Sequence, residues 1–462
     1  MTGRVVRIEL RRSDAPWVAA FIAVVGGAMI YLGAARSPHG WTVLAVGQRD
    51  LLGLLWPLAL GAGAWQARRE RRRRMEELIS TTPSPRWRRV LPTAVAMALA
   101  VVGGYLGMFA VGAGYVGPLA SYFPIGSMWI VAVGALSMVP AVWLGLAIGS
   151  RLPSALTPPV LAIAGVAALL VAPEILFHAS QSGGDPPGTT LLLPSVAAAR
   201  TGTMTEFLTA TARTHLTQVL WLAALAATGL ACFTAASRRA VVAAFLPAVL
   251  GAALAVLLLP GRLSAAYVFD QGAIAPVCTA DAPKVCVTRT HAAALDGLRG
   301  PARQALAILS AKLPTAPTSV AEDYGSTHLD VQPQRAHTVL VTVRVTDAGR
   351  TADPPHEILW DLLAGAGTRP CVDVNQAQRE QLARHFRARL VAAAWLIGQP
   401  PPADPDGNKD RPADHETLQA WETLRGLPAT EQRARVAALR RSELACDGRD
   451  LLDILVGQGG QR

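Results

Sequence analysis

The sequence predicts a mainly α-helical, polytopic membrane protein of about seven spans, closed by a C-terminal extracytoplasmic α+β domain. Three observations predict it. Apolar runs of roughly 20 residues, the length that crosses a bilayer as a helix, recur up to residue 260. Arginine is spread unevenly over the segments between those runs, as happens when short loops are sorted between the two faces of a membrane. Four of the five cysteines fall after residue 260.

The elements follow in chain order. Residues 1–15 interleave Arg4, Arg7, Arg11 and Arg12 with Val5, Val6, Ile8 and Leu10, the pattern of an amphipathic interfacial segment. The transmembrane domain, 16–260, holds runs at 16–35, 51–67, 90–113, 127–149, 158–177, 216–236 and 241–260. The first run is too long for a signal-peptide core and others follow it, so it reads as an uncleaved span. With the N-terminus cytoplasmic, the inside segments hold sixteen arginines: four N-terminal, nine between residues 66 and 92, and Arg151, Arg238 and Arg239. The outside segments hold four: Arg36, Arg49, Arg200 and Arg213. An odd number of spans then puts 261–462 outside the cell membrane. Residues 178–215 form the longest outer loop within the membrane half, turn-rich at first and then fit for a surface helix over 195–215. Glu174 is the one acid inside a run, and its place near the outer end suits a side chain reaching the interface. Gly103/Gly107 and Gly145/Gly149 match a small-residue helix-packing pattern, and Cys232 reads as a small core residue of the sixth span.

Within 261–462, 337–345 alternates with Val339, Val341, Val343 and Val345 on one face, a half-buried strand. Residues 301–312 and 375–397 read as helices, the latter with Leu382, Phe386, Leu390, Ala393 and Ile397 on one stripe. A proline-rich stretch over 398–413 predicts a mobile linker, and two or three short helices follow. An even number of cysteines in a region placed outside is the composition of a disulfide framework with three possible pairings. Cys278 and Cys286 bracket a short turn, which favours pairing them and leaves Cys371 with Cys446.

Charge and motifs narrow the function. The net charge of +11 lies wholly in 1–260, with 20 Arg against 9 acids, whereas 261–462 balances 23 against 23. Nothing in the balanced half suggests a nucleic-acid surface. A nucleotide-binding loop needs Gly-Lys-Ser/Thr, but Lys284, Lys312 and Lys409 follow Pro283, Ala311 and Asn408. His356 and Glu357 begin a zinc-peptidase motif that ends at Trp360, and no serine-hydrolase elbow is present. His291, His328, His337, His385 and His415 show no ligand spacing and read as surface residues. The sequence thus predicts no enzyme, no metal and no cofactor.

The loop over 66–92 carries nine arginines and lies between two apolar runs. Residues 69–80 lack Gly and Pro, and Met75, Leu78 and Ile79 make a short apolar stripe, so a small amphipathic helix is expected there, stopped by Pro83. Arg74, Met75, Glu76, Glu77 and Leu78, followed by Pro83 and more basic residues, resemble the loop between the first helix pairs of ABC-type exporter permeases of the type 2 exporter family. The chain is similar in particular to actinobacterial permease-like membrane proteins with an extracytoplasmic domain. The resemblance implies that this loop is a coupling helix docking on a separate ATP-binding subunit, that a second permease subunit pairs with this one, and that membrane lipid surrounds both. The chain departs from the family, whose usual subunit has six spans and both ends inside. A membrane-anchored sensor or scaffold, whose outer domain binds a ligand, is the alternative. A neighbouring gene for an ATPase favours the permease, and a neighbouring regulator alone favours the sensor.

Overall fold

A computed structural model describes residues 7–10, 13–34, 40–72, 86–179, 188–194, 206–262, 264–325, 332–346, 349–371, 379–402 and 415–457. The chain divides into two compact units, Met1–Ala273 and Ile274–Arg462.

The first unit is helical, with α1 (Ala15–Ala34), α2 (Trp41–Asp50), α3 (Leu52–Arg72), α4 (Arg86–Val116), α5 (Ile125–Arg151), α6 (Thr157–Ala179), α7 (Ala212–Thr234), α8 (Arg238–Ala243) and α9 (Leu246–Leu258). Among the described residues, five apolar stretches are long enough to cross a membrane: Ala15–Leu32, Trp87–Val116, Ile125–Arg151, Ala212–Thr234 and Arg238–Leu258. The pair α2–α3, bent by 47°, makes a sixth if counted as one span. α6 covers the remaining expected run, with Thr157–Ala172 as a shorter apolar stretch. The expected run 51–67 lies within α3, and α2, which holds Arg49, precedes it across the bend.

α5 is the central helix. It packs on α3, α4 and α7, and 72% of its apolar window is buried, against 17% for Arg238–Leu258. Lipid tails give no hydrophobic drive between helices, so the bundle holds by close packing and interhelical hydrogen bonds. A Cβ on Gly145 would sit 2.1 Å from the Leu60 carbonyl oxygen, so α3 and α5 touch backbone to backbone. Of the expected pair Gly103/Gly107, Gly103 meets nothing, whereas Gly107 packs on Ala23 of α1, as does the neighbouring Gly104 on Ala19. Trp56 Nε1 donates to Ser137 O at 3.0 Å beside Pro140, which cannot donate to the α5 ladder, and Trp143 Nε1 donates to Ala94 O at 2.8 Å. Cys232 is buried with a free thiol.

Two short strands cap one end of this unit. β1 (Leu208–Ala210) pairs antiparallel with β2 (Tyr267–Phe269). The segment expected as a surface helix over 195–215 is, in its described part, this strand and the start of α7. β2 pairs with β1, and the first compact unit runs to Ala273.

The second unit has a sheet in the order β3-β4-β5-β6: β3 (Pro276–Cys278), β4 (Lys284–Thr288), β5 (Ser319–Glu322) and β6 (Thr338–Val341). β3 and β4 form a hairpin, and β4, β5 and β6 run parallel, with α10 (Leu295–Lys312) as the first crossover. Val285, Val287, Val320, Val339 and Val341 meet Leu298, Ala302, Ala305 and Leu309 of α10 in one core. The core continues through α11 (Pro355–Leu363), α12 (Arg379–Ile397), α13 (His415–Arg425), α14 (Ala429–Ala445) and α15 (Leu451–Val456). Of the expected stripe of α12, Ala393 is buried, Leu382, Leu390 and Ile397 are half-buried, and Phe386 is exposed; Ala388, Val391, Ala392 and Leu396 are also buried, with His385 and Arg389.

Candidate functional site

The break between α2 and α3 gathers polar side chains inside an otherwise apolar bundle. α2 starts after Gly40 and runs without Pro to Asp50, and Leu51 then carries the chain through the bend. The last turn of α2 presents Gln48 and Arg49 inward, both buried. Gln48 Nε2 donates to Tyr105 O on α4 at 2.8 Å. The Tyr105 ring fits only because α5 has glycine opposite it, where a Cβ on Gly134 would lie 2.2 Å from the phenol oxygen. Arg49 Nη1 donates to Gln218 Oε1 on α7 at 3.1 Å, and its Nε to Pro194 O at 3.4 Å. Gln218 Nε2 in turn donates to Leu191 O at 3.2 Å, and Trp221 Nε1 to Leu192 O at 3.0 Å. The 3₁₀ turn Gly188–Leu192 thus enters the bundle and gives its carbonyls to α7.

His215 lies one turn before Gln218 on the same face of α7, buried, with neither ring nitrogen hydrogen-bonded. The Tyr105 hydroxyl and Gln48 Oε1 also lack partners. The charge of Arg49 acts on Tyr105, on Tyr267 of β2, which is buried, and on His215. Polar residues gathered inside an apolar helical bundle are costly and mark candidate binding sites.

The other end of α3 leads into the arginine-rich loop. Arg68 lies over the Trp65 ring at 5.9 Å, and Arg88 of α4 over Trp87 at 5.1 Å. Exposed aromatic and cationic side chains together at two helix ends are the dress of a membrane–water interface. Arg74, Met75, Glu76, Glu77, Leu78 and Pro83 lie outside the described residues, as does the side chain of Glu174. Of the N-terminal segment, residues 7–10 are helical.

In the second unit Cys278 is bonded to Cys286, and Cys371 to Cys446. Cys278 and Cys286 stand directly opposite across β3 and β4, which is why so short a turn can be closed. His291 and His385, expected on the surface, are buried. His291 Nδ1 pairs with Glu322, whose other oxygen accepts from Thr288 N at 2.7 Å. His385 packs beside Arg389 and Glu443, and burial, aided by the Arg389 charge, pushes its imidazole down to about 4. These groups brace the fold. Among the described residues no cluster of His, Cys, Asp or Glu is placed to hold a metal ion.

The chain matches no protein-family model, no curated protein and no solved structure.

Proposed function

We propose that the chain is the membrane permease subunit of an ABC-type transporter, an exporter driven by a separate cytoplasmic ATPase. The observation that carries this reading is α3. One end of it meets the polar cluster at the broken span, and the other enters the loop that resembles a coupling helix. A helix of 21 residues is about 31 Å long, the thickness of the apolar core of a bilayer. Movement of the loop against an ATPase would reach the cluster along one rigid element. Differential affinity of the two states for ATP would then drive the change. In this reading there are seven spans, the N-terminus is cytoplasmic and 261–462 is outside. Two disulfides in the second unit suit an oxidising compartment.

The test is the partner. An ATPase should co-purify with the full chain under mild detergent and ATP-trapping conditions. Leu78→Asp should release it, because truncating or charging an apolar anchor at an interface costs about 2 kcal/mol or more, some thirtyfold in affinity. Replacing Arg71 and Arg72 with Gln should do far less, since seven of the nine loop arginines remain. Absence of any ATPase from the unaltered protein contradicts the permease reading. Retention by Leu78→Asp contradicts the placement of the coupling helix.

One observation favours a sensor instead. β2 lies just before the second unit and pairs with β1, which leads directly into α7 and the cluster. Ligand binding by the outer domain would pull on that clip. A sensor predicts no ATPase to lose.

A further inference from the structure

The cluster at the broken span has an imbalance that the permease reading leaves unused. Arg49 is only 2% exposed, and a buried guanidinium is costly unless it is paired. Its partners are neutral: an amide oxygen and one backbone carbonyl. Asp50 acts on it through its charge but makes no ion pair with it. Nη2 has no hydrogen-bond partner among the described residues. Further unspent polar groups stand on the same elements. Among the described residues Tyr105 has its hydroxyl unpartnered, and His215 has both ring nitrogens unpartnered, so whichever nitrogen carries the proton has a free N–H and the other is a free acceptor. Gln48 Oε1 is a further unpartnered acceptor. A buried positive charge whose neighbours include the unpartnered Tyr105 hydroxyl and a His215 N–H is the complement of an oxyanion, and the planar fork of arginine fits phosphate or carboxylate in particular. A cation would need acidic ligands, and among the described residues no group of three or more His, Cys, Asp or Glu is assembled to hold one.

We propose that Arg49, with Tyr105 and His215, binds a phosphate or carboxylate group inside the bundle at the break between α2 and α3. The incoming oxygens take the free Nη2 hydrogens, the Tyr105 hydroxyl and one His215 N–H. The single contact to be displaced is the weak one, Nε to Pro194 O at 3.4 Å. The group belongs either to a phospholipid headgroup or to a soluble solute. As a statement about the transported substrate this rests on the permease reading. As a statement about binding it does not, and ATPase co-purification is scored separately, so either can fail alone.

The experiment uses the full chain in detergent with two probes. Native mass spectrometry measures retention of phosphatidylglycerol against diacylglycerol, which differ by the phosphate. Thermal unfolding in increasing inorganic phosphate measures the soluble arm. Retention of phosphatidylglycerol that is lost in Arg49→Gln assigns a lipid headgroup. A phosphate-dependent rise in Tm that is lost in Arg49→Gln, without lipid retention, assigns a solute. Tyr105→Phe guards against misfolding, because the hydroxyl removed has no protein partner. A purely structural role predicts that Tyr105→Phe leaves binding unchanged. The proposal predicts about tenfold weaker binding, the loss of one hydrogen bond to a charged group. Neither probe binding to the unaltered protein, or equal binding by folded Arg49→Gln and Tyr105→Phe, overturns it.

Discussion

Glu443→Leu should destabilise the second unit by about 3–5 kcal/mol, the cost of leaving a buried charge without its partner. Glu443 of α14 and Arg389 of α12 are 1% and 5% exposed. Arg389 Nη1 donates to Glu443 Oε2 at 2.5 Å, and Nη2 donates to Thr368 O at 2.6 Å. Thr368 Oγ1 lies 3.3 Å from the same carboxylate oxygen. Burial pushes the Glu443 carboxyl up, and Arg389 pulls it down. The pair is therefore expensive to hold ionised, and its value lies in mutual compensation. Removing both charges should then recover most of the loss. The variant Arg389→Met/Glu443→Leu is expected to be far closer to the unaltered protein than either single change. Urea unfolding of the full chain, with pulse proteolysis reporting on the second unit, measures all four proteins. Additive losses in the double variant contradict this account of the pair.

Opening Cys371–Cys446 should cost about 4.5 kcal/mol, from the closure entropy of a loop of 75 residues. The loop spans α12, α13 and α14, so the bond joins the turn after α11 to the end of α14. Cys278–Cys286 closes only 8 residues and should cost about 2.5 kcal/mol on the same reckoning. Paired Cys→Ser variants should fall in that order in thermal unfolding. Non-reducing peptide mapping of the unaltered protein gives the pairing directly. Free thiols at all four positions contradict both the framework and the oxidising location.

The helices of the first unit were legible because each expected run is predominantly apolar and long enough to stand out in a hydropathy window. The broken span was not. Residues 41–50 carry Gln48, Arg49 and Asp50 at their end, and these charges lower any hydropathy average and pass for a loop. The usable signal was local: no turn residue separates Arg49 from the run that begins at Leu51, and Trp41, Leu44, Ala45 and Val46 are spaced for a helix. β1 was hidden because three residues of strand acquire meaning only from a partner nearly sixty positions away. The wider buried face of α12 has the same root. Beside Val391 and Leu396 it holds alanines, His385 and Arg389, which a hydrophobic stripe does not count, whereas Phe386, counted in that stripe, is exposed. The cysteine pairing was legible because a hairpin leaves two cysteines that flank its turn little choice.

The permease reading, the placement of the disulfides and the sensor alternative all need the chain to cross the membrane an odd number of times, with the arginine-rich loop inside. Dual-compartment reporter fusions after Arg89 and after Arg462 measure this directly. The account predicts a reporter active only in the cytoplasm after Arg89 and only outside after Arg462. Cytoplasmic activity at both positions contradicts it, and would return the second unit, with its four cysteines, to a reducing compartment.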